Sequence, residues 1–473
     1  MDATRGEATL LWFRNDLRVA DNPALVAALA LGKPIVGLYI HETGGQLRSI
    51  GSASRWWLHQ SLNAHGRTLA SYGIPLEVVA GETDQLLAAA VQKHRAAAVF
   101  WNRRYEPTER ALDAAIKQRL TATGIEAKSF SASLLVEPFD IRTGLGKPYS
   151  VFTPFWRALK QRAIPVPISP PPSTTRPFAR AAHDTAYSPP QWSRKLEPHW
   201  SIGEMAAAIA LRDFLDTSLG AYSRGRDVPA LNGTSRLSPH LRFGEIGPRQ
   251  IWHAALALAV REPACAEAVD KFLSELAWRD FSYNLLYHRT DIATRPMQPK
   301  FETMPWRHAP EALAMWQQGK TGFPIIDAGM RQLWATGWMH NRVRMLVASL
   351  LTKNLMIDWR LGEQWFWDTL VDADPASNPA SWQWVAGSGA DAAPYFRIFN
   401  PITQSERFDG HGDYVRRWVP ELARLPDSAI HNPGEAPPEV LSAAGVQLGG
   451  NYPRPIVDLK LSRQRALDAL AGL

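Results

Sequence analysis

"TLLWF" at residues 9–13 and "PIVGLYI" at 34–40 are short apolar runs, and "PLEVVA" (75–80) and "AAVFW" (97–101) repeat the pattern. The β-branched and aromatic content of these runs reads as strands. The alanine-rich stretches 52–72, 83–95 and 106–123 between them have amphipathic helical spacing. Strands that alternate with helices build βαβ units, hence a parallel sheet with helices on both faces. Such a sheet takes its ligands beyond the carboxyl ends of its strands. No G-x-G-x-x-G follows the first strand, so the dinucleotide-binding fingerprint is missing.

The pattern changes twice further along the chain. Residues 161–200 hold nine prolines and little periodicity, which reads as a connection and not a packed element. Beyond about residue 203 the spacing turns helical, with helices expected near 203–217, 247–260, 265–288, 309–318, 324–336, 338–356 and 363–371, and again in KLSRQRALDALAGL at the end of the sequence. The expected fold class is α/β plus all-α. It comprises a Rossmann-like parallel-sheet domain over 1–130, a connector over 131–202 and an all-helical domain over 203–473.

Composition narrows the functional classes. A single cysteine, Cys265, rules out a disulfide framework and a multi-cysteine zinc site, and it suits a reducing compartment. No secretory leader pattern opens the sequence and no run of about 18 uncharged apolar residues occurs, so a soluble, cytoplasmic, bacterial protein is expected. A formal net charge of +7 permits a polyanionic partner without requiring one. Most of the 19 tryptophans read as large core residues, but so many also leave room for stacking surfaces and electron transfer.

Four stretches concentrate polar chemistry. GTSRLSPHLRFG (233–244) joins hydroxyls and arginines to a helix entry, with Ser238 expected as the cap and Pro239 as the first helical residue. Free backbone N–H groups there, with Thr234, Ser235 and Arg236, could seat a phosphate, or simply form a capped helix with surface arginines. KFLSELAWRDF (271–281) puts Glu275, Trp278 and Arg279 on one helical face; an i,i+4 ion pair beside a core tryptophan is the plainer reading. In WMHNRVRMLVASLL (338–351), Trp338, Asn341 and Met345 share a face flanked by Arg342 and Arg344. His340 stands alone, without the second histidine that a metal site needs. DADPASNPASWQW (372–384) crowds Asp372, Asp374, Asn378, Trp382 and Trp384 together. A metal loop, an acid/base pair and a cofactor pocket all remain open for it.

Taken together with LWFRNDLRVADNPAL (11–25) and GKTGFPIIDAGMRQLWATGWMHNRVRM (319–345), these stretches resemble the photolyase/cryptochrome family along essentially the whole chain. The likeness is greatest to microbial class I or class III photolyases of cyclobutane pyrimidine dimers, and SNPASWQWVAGSGAD leans towards class III. The resemblance implies FAD in the helical domain, with Tyr222, Thr234, Ser235, Arg236, Leu237 and Ser238 at its phosphates and ribityl chain. Phe272, Glu275, Arg279, Trp338, Asn341, Arg344, Asp372, Asp374 and Asn378 would surround the rest, with Arg344 paired to Asp372. Phe272 stands where a tryptophan is usual, and Asn378 would face the flavin N5 where plant cryptochromes usually carry aspartate.

The implied reaction is light-driven: reduced, excited flavin lends an electron to the dimer, the cyclobutane ring splits, and the electron returns. Glu275, Met345 and Asn378 would serve it catalytically. Trp278, Asn341 and Trp384 would hold the flipped-out lesion, and Arg226, Arg342 and Gln404 the DNA backbone. Trp306, Trp359 and Trp382 match the family's three-tryptophan relay. The antenna implied is methenyltetrahydrofolate near Glu109, with 8-hydroxy-5-deazaflavin or an empty site as alternatives. Thr108 replaces the usual asparagine, and no lysine stands near 293. The partner is UV-damaged DNA, with no metal and no membrane, the state monomeric, and the cellular site the nucleoid. A cryptochrome-like photoreceptor and a 6-4 photolyase are the alternative readings.

Overall fold

A computed structural model describes residues 7–45, 47–172, 183–391 and 396–473. Residues 173–182 of the proline-rich connector and 392–395 (AAPY) lie outside these residues. The chain forms two compact units. One runs up to Thr217 and resumes over Ser235–Thr290, and the other comprises Ser218–Thr234 and Asp291–Leu473.

The first unit is built on five parallel strands, β1 (Ala8–Phe13), β2 (Ile35–Glu42), β3 (Leu76–Gly81), β4 (Ala96–Asn102) and β5 (Glu126–Phe130), in the order β3-β2-β1-β4-β5. The α/β class read from the sequence is therefore the observed one. The central strands read as continuous apolar runs because both their faces are covered: every residue of β1 is buried. Leu10, Trp12, Leu38, Val99 and Trp101 carry one face of this core. β5 was not anticipated; EAKSF is a polar edge strand with one fully buried residue. The helix Pro23–Ala30 was not anticipated either, although Asn22 caps it by accepting the Leu25 N–H at 3.1 Å.

Part of the connector is packed, contrary to expectation. Gln191–His199 winds into a 3-10 helix that buries Ser193 and Leu196. In the same unit the helices Glu204–Thr217, Pro248–Arg261 and Ala266–His288 agree with the sequence reading to within a residue or so.

The second unit is helical around a core that includes Trp316, Ile325, Met339, Val347, Leu351, Trp359, Phe366, Trp382 and Tyr414. The helix expected over 338–356 starts only at Asn341, because the His340 side chain caps it through the Arg342 N–H at 3.2 Å. It then loosens into a π-helical turn over Leu350–Asn354. The helix expected at 363–371 begins earlier, at Trp359, where Asp358 accepts the Arg360 N–H at 2.9 Å. Among the described residues no helix is long and apolar enough to cross a membrane, and no group of three or more His, Cys, Asp or Glu is placed to hold a metal ion.

Candidate functional site

Within the second unit, the DADP stretch folds by satisfying its own backbone. Asp374 Oδ1 accepts the N–H groups of Ala376 and Ser377 at 2.9 and 2.7 Å, so it opens the helix Ser377–Ala386. A carboxylate there also complements the helix dipole. Asp372 is buried and paired with Arg344 Nη2 at 2.9 Å, while Arg344 Nε donates to the Met339 carbonyl at 2.8 Å. The structure thus brings Arg344 and Asp372 together. One charged pair oriented by a third contact is rigid enough to present the remaining acceptor and donor faces to a ligand.

Asn378 is buried, and its amide nitrogen donates to both the backbone carbonyl (3.1 Å) and Oε1 (2.8 Å) of Glu363. With both amide hydrogens committed, Oδ1 is fixed as an acceptor. Glu363 lies in the helix Trp359–Thr369 and is almost wholly buried. Sequence reasoning missed it, since a lone glutamate in the helix expected over 363–371 reads as a solvated side chain.

Two of the three relay candidates, Trp359 and Trp382, lie in the core of this unit, and half-buried Trp306 packs against that core. Trp382 meets Phe366 edge-on at 5.0 Å and Trp316 at 6.2 Å. It reaches this position because residue 362 is glycine: a Cβ there would fall 2.2 Å from Trp382 Cη2. Its indole N–H is buried without a hydrogen-bond partner among the described residues. Trp384, two residues on, is half-buried and donates to the Asp391 carbonyl at 3.2 Å.

On the Asn341–Ser349 helix, Asn341 is exposed, so it needs no buried partner. Arg342 lies over the Phe408 ring at 4.2 Å, pairs with Asp227 at 2.9 Å and reaches Met345 Sδ at 4.0 Å. Arg226 stands 3.8 Å from the same Asp227 oxygen and 5.5 Å from the Tyr222 ring. His340 packs edge-on against buried Trp338. Burial, opposed by Asp227 and reinforced by Arg344, Arg342 and Arg226, lowers its pKa to about 4. The ring is therefore neutral near pH 7, as its cap on Arg342 requires. Thr234 and Gln404 are half-buried, Gln404 in the helix Pro401–Phe408 that Asn400 caps.

The first unit holds the other candidates. Ser238 is the first residue of a five-residue helix whose cap position is Leu237, one residue away from the expected assignment. Arg236 adopts φ 51° and rests on the Trp200 ring at 4.2 Å, and Ser235 accepts the Leu237 N–H at 3.4 Å. The motif ends at Gly244, where φ is 66° and a Cβ would fall 2.1 Å from the Asn15 carbonyl oxygen, so only glycine fits.

On the Ala266–His288 helix, Glu275 pairs with Lys271 at 3.3 Å. Trp278 stacks on Phe152 at 3.8 Å and 8°, and buried Phe272 meets Phe214 at 4.8 Å. Arg279 donates to the Ser133 carbonyl at 2.6 Å. It lines a small, open cleft with Asp16, Arg103, Arg104, Glu106 and Arg242. The cleft lies past the ends of β1 and β4, where the strand order reverses, the place at which parallel sheets take ligands. Glu109, in the first turn of Pro107–Ala122, is pushed up to about 7 by burial and then by the charge of Glu106.

Comparison with known proteins gives the family. A family model described as DNA photolyase matches residues 9–186, and one described as the FAD binding domain of DNA photolyase matches 272–472. The chain is 48% identical over 471 residues to the deoxyribodipyrimidine photo-lyase of Agrobacterium fabrum, covering 98% of each. It is 38% identical to Cryptochrome-1 of Arabidopsis thaliana, over 99% of this chain and 71% of the relative. The crystal structure of a class III photolyase from Agrobacterium tumefaciens superposes with a TM-score of 0.94 at 47% identity, covering 100% of this chain and 98% of that one. On sequence and fold alike, the chain belongs to the photolyase/cryptochrome family.

Proposed function

We propose that this chain repairs cyclobutane pyrimidine dimers in DNA under blue light, as a deoxyribodipyrimidine photo-lyase with bound FAD. The observation that carries the reading is the 48% identity, over 98% of both chains, to a protein of that name. The residues present fit a flavin. Asn378 Oδ1, held by Glu363, is an acceptor suited to a flavin N–H, and the Arg344–Asp372 pair offers a fixed polar face. When bound and reduced, the flavin supplies the photoexcited electron donor.

Tyr222, Thr234, Ser235, Arg236, Leu237 and Ser238 take its phosphate and ribityl end. Phe272, Trp338, Asn341, Arg279 and Asp374 complete its surroundings. Trp278 and Trp384 wall the extruded lesion, with stacking worth about 1–3 kcal/mol per base. Glu275 hydrogen-bonds the base edge, where charge develops, and Met345 packs beside it. Arg226, Arg342 and Gln404 hold the DNA backbone. Trp306, Trp359 and Trp382 pass electrons inward to restore the reduced cofactor. A methenyltetrahydrofolate antenna beside Glu109 is the favoured second pigment; a monomer in the cytoplasm, acting on nucleoid DNA, completes the proposal.

The test is expression in a UV-sensitive bacterium that lacks light-dependent repair. Survival after UV should rise under blue light and not in the dark. Equal survival in light and dark contradicts the reading.

A further inference from the structure

In the helical unit, one carboxylate oxygen serves two cations. Asp227 Oδ1 lies 2.9 Å from Arg342 Nη2 and 3.8 Å from Arg226 Nε. Its side chain is about a third exposed (35%), while those of Arg342 and Arg226 are 18% and 13% exposed. Arg342 is held from three further sides: its guanidinium lies over Phe408, an Nη reaches Met345 Sδ, and its backbone N–H is taken by His340 Nδ1. Arg226 rests near the Tyr222 ring. The two arginines are therefore fixed in place, and the anion between them stands where a phosphate oxygen would otherwise be drawn.

We infer that Asp227 is a specificity-determining residue: it positions Arg226 and Arg342 and partly cancels their charge, so that undamaged DNA is held weakly and lesion-bearing DNA is favoured. The inference rests on the DNA-repair reading above. Undamaged duplex binds through phosphates alone, in any register, so its affinity follows the available positive charge. A lesion complex also gains base contacts that need the arginines at one place relative to the pocket. Arginine forfeits more rotamer freedom on binding when nothing holds its fork beforehand. Removing Asp227 therefore raises available charge for both ligands but removes orientation from the lesion complex only.

The experiment measures the affinity of wild type, Asp227→Asn and Asp227→Glu for one duplex with and without a single thymine dimer, across salt concentrations, in the dark. For Asp227→Asn we expect undamaged DNA to bind about fivefold tighter at low salt, with the log–log salt slope steeper by up to about 0.9. The lesion duplex should change by less than about twofold, so that discrimination falls severalfold. Asp227→Glu, which keeps the charge, should restore most of the discrimination. An unchanged slope, or equal changes on both duplexes, overturns the inference, and so does loss of discrimination in the Glu variant equal to that in Asn. Should Asp227→Asn prove unstable, Asp227→Ser takes its place in the same comparison. Wild-type repair of the same dimer under blue light is scored separately, so failure of the repair reading shows as no repair whatever the binding data.

Discussion

Both units bury ions and indoles, but the sheet unit gathers a network of paired ions past its strand ends, whereas the helical unit gathers buried indoles around the relay candidates. Past the ends of β1 and β4, Arg14, Asp16, Arg18, Asp21, Arg104 and Asp113 are all at least nine-tenths buried. They persist because each finds a partner. Asp113 holds Arg14 and Arg104 at 2.8 Å, Asp21 holds Arg249 at 2.9 Å, and Asn102 donates to Asp16 at 2.7 Å. In the helical unit the largest wholly buried groups near the relay candidates are Trp316 and Trp359, with Trp382 close behind. The difference shows two ways to make a rigid interior. Paired charges fix geometry but tolerate no loss of a partner. Aromatic packing fixes geometry by shape and also supplies side chains that can be oxidised.

The largest effect expected falls on the indoles. Trp382→Phe should abolish photoreduction of oxidised flavin, followed by absorbance under blue light. Repair by chemically reduced enzyme should persist, because the ring is not among the residues that meet the lesion. Undiminished photoreduction would remove Trp382 from the relay.

Among the ions, Arg104→Met should cost about 3–5 kcal/mol in urea denaturation, since it leaves half-buried Glu42 and buried Asp113 with less compensation. A cost below about 1 kcal/mol would show that water or neighbouring groups already satisfy those carboxylates.

Asp280 tests the sheet unit more gently. It accepts the N–H groups of Leu135 and Val136 at 2.7 and 3.2 Å, yet burial raises its pKa from 3.8 to about 7. Between those values the native state keeps a proton that the unfolded chain has released. Its contribution is therefore present at low pH and is lost as pH rises towards 7. Asp280→Asn should flatten the decline of Tm across that window; an unaltered pH profile would mean the carboxylate is ionised in the fold.

The smallest effect belongs to Lys271→Ala. It removes an exposed partner of Glu275 and should change stability by less than about 0.5 kcal/mol. A larger loss would make that pair structural.

The same contrast explains what could be read from the sequence. Strands β1, β2 and β4 were legible because burial on both faces leaves largely unbroken apolar runs, and the edge strand β3 because of its β-branched valines, whereas β5, with its lysine and glutamate, hides at the opposite edge. The helix starts at Asn341 and Trp359 depended on side-chain caps from His340 and Asp358, which periodicity does not report. Trp306, Trp359 and Trp382 are too far apart in sequence for spacing to join them, and only the family resemblance did. Glu363, Gly362 and Asp227 escaped notice because each acts through a neighbour: one orients Asn378, one makes room for Trp382, and one bridges two arginines.

The most direct test of the central claim gives photoreduced protein two oligonucleotides, one with a cyclobutane thymine dimer and one with a 6-4 photoproduct. Each is incubated in blue light and in the dark, and restored pyrimidines are followed by chromatography. The account predicts restoration of the cyclobutane dimer in light only, with the 6-4 product untouched. No light-dependent restoration, or restoration of the 6-4 product alone, would contradict it.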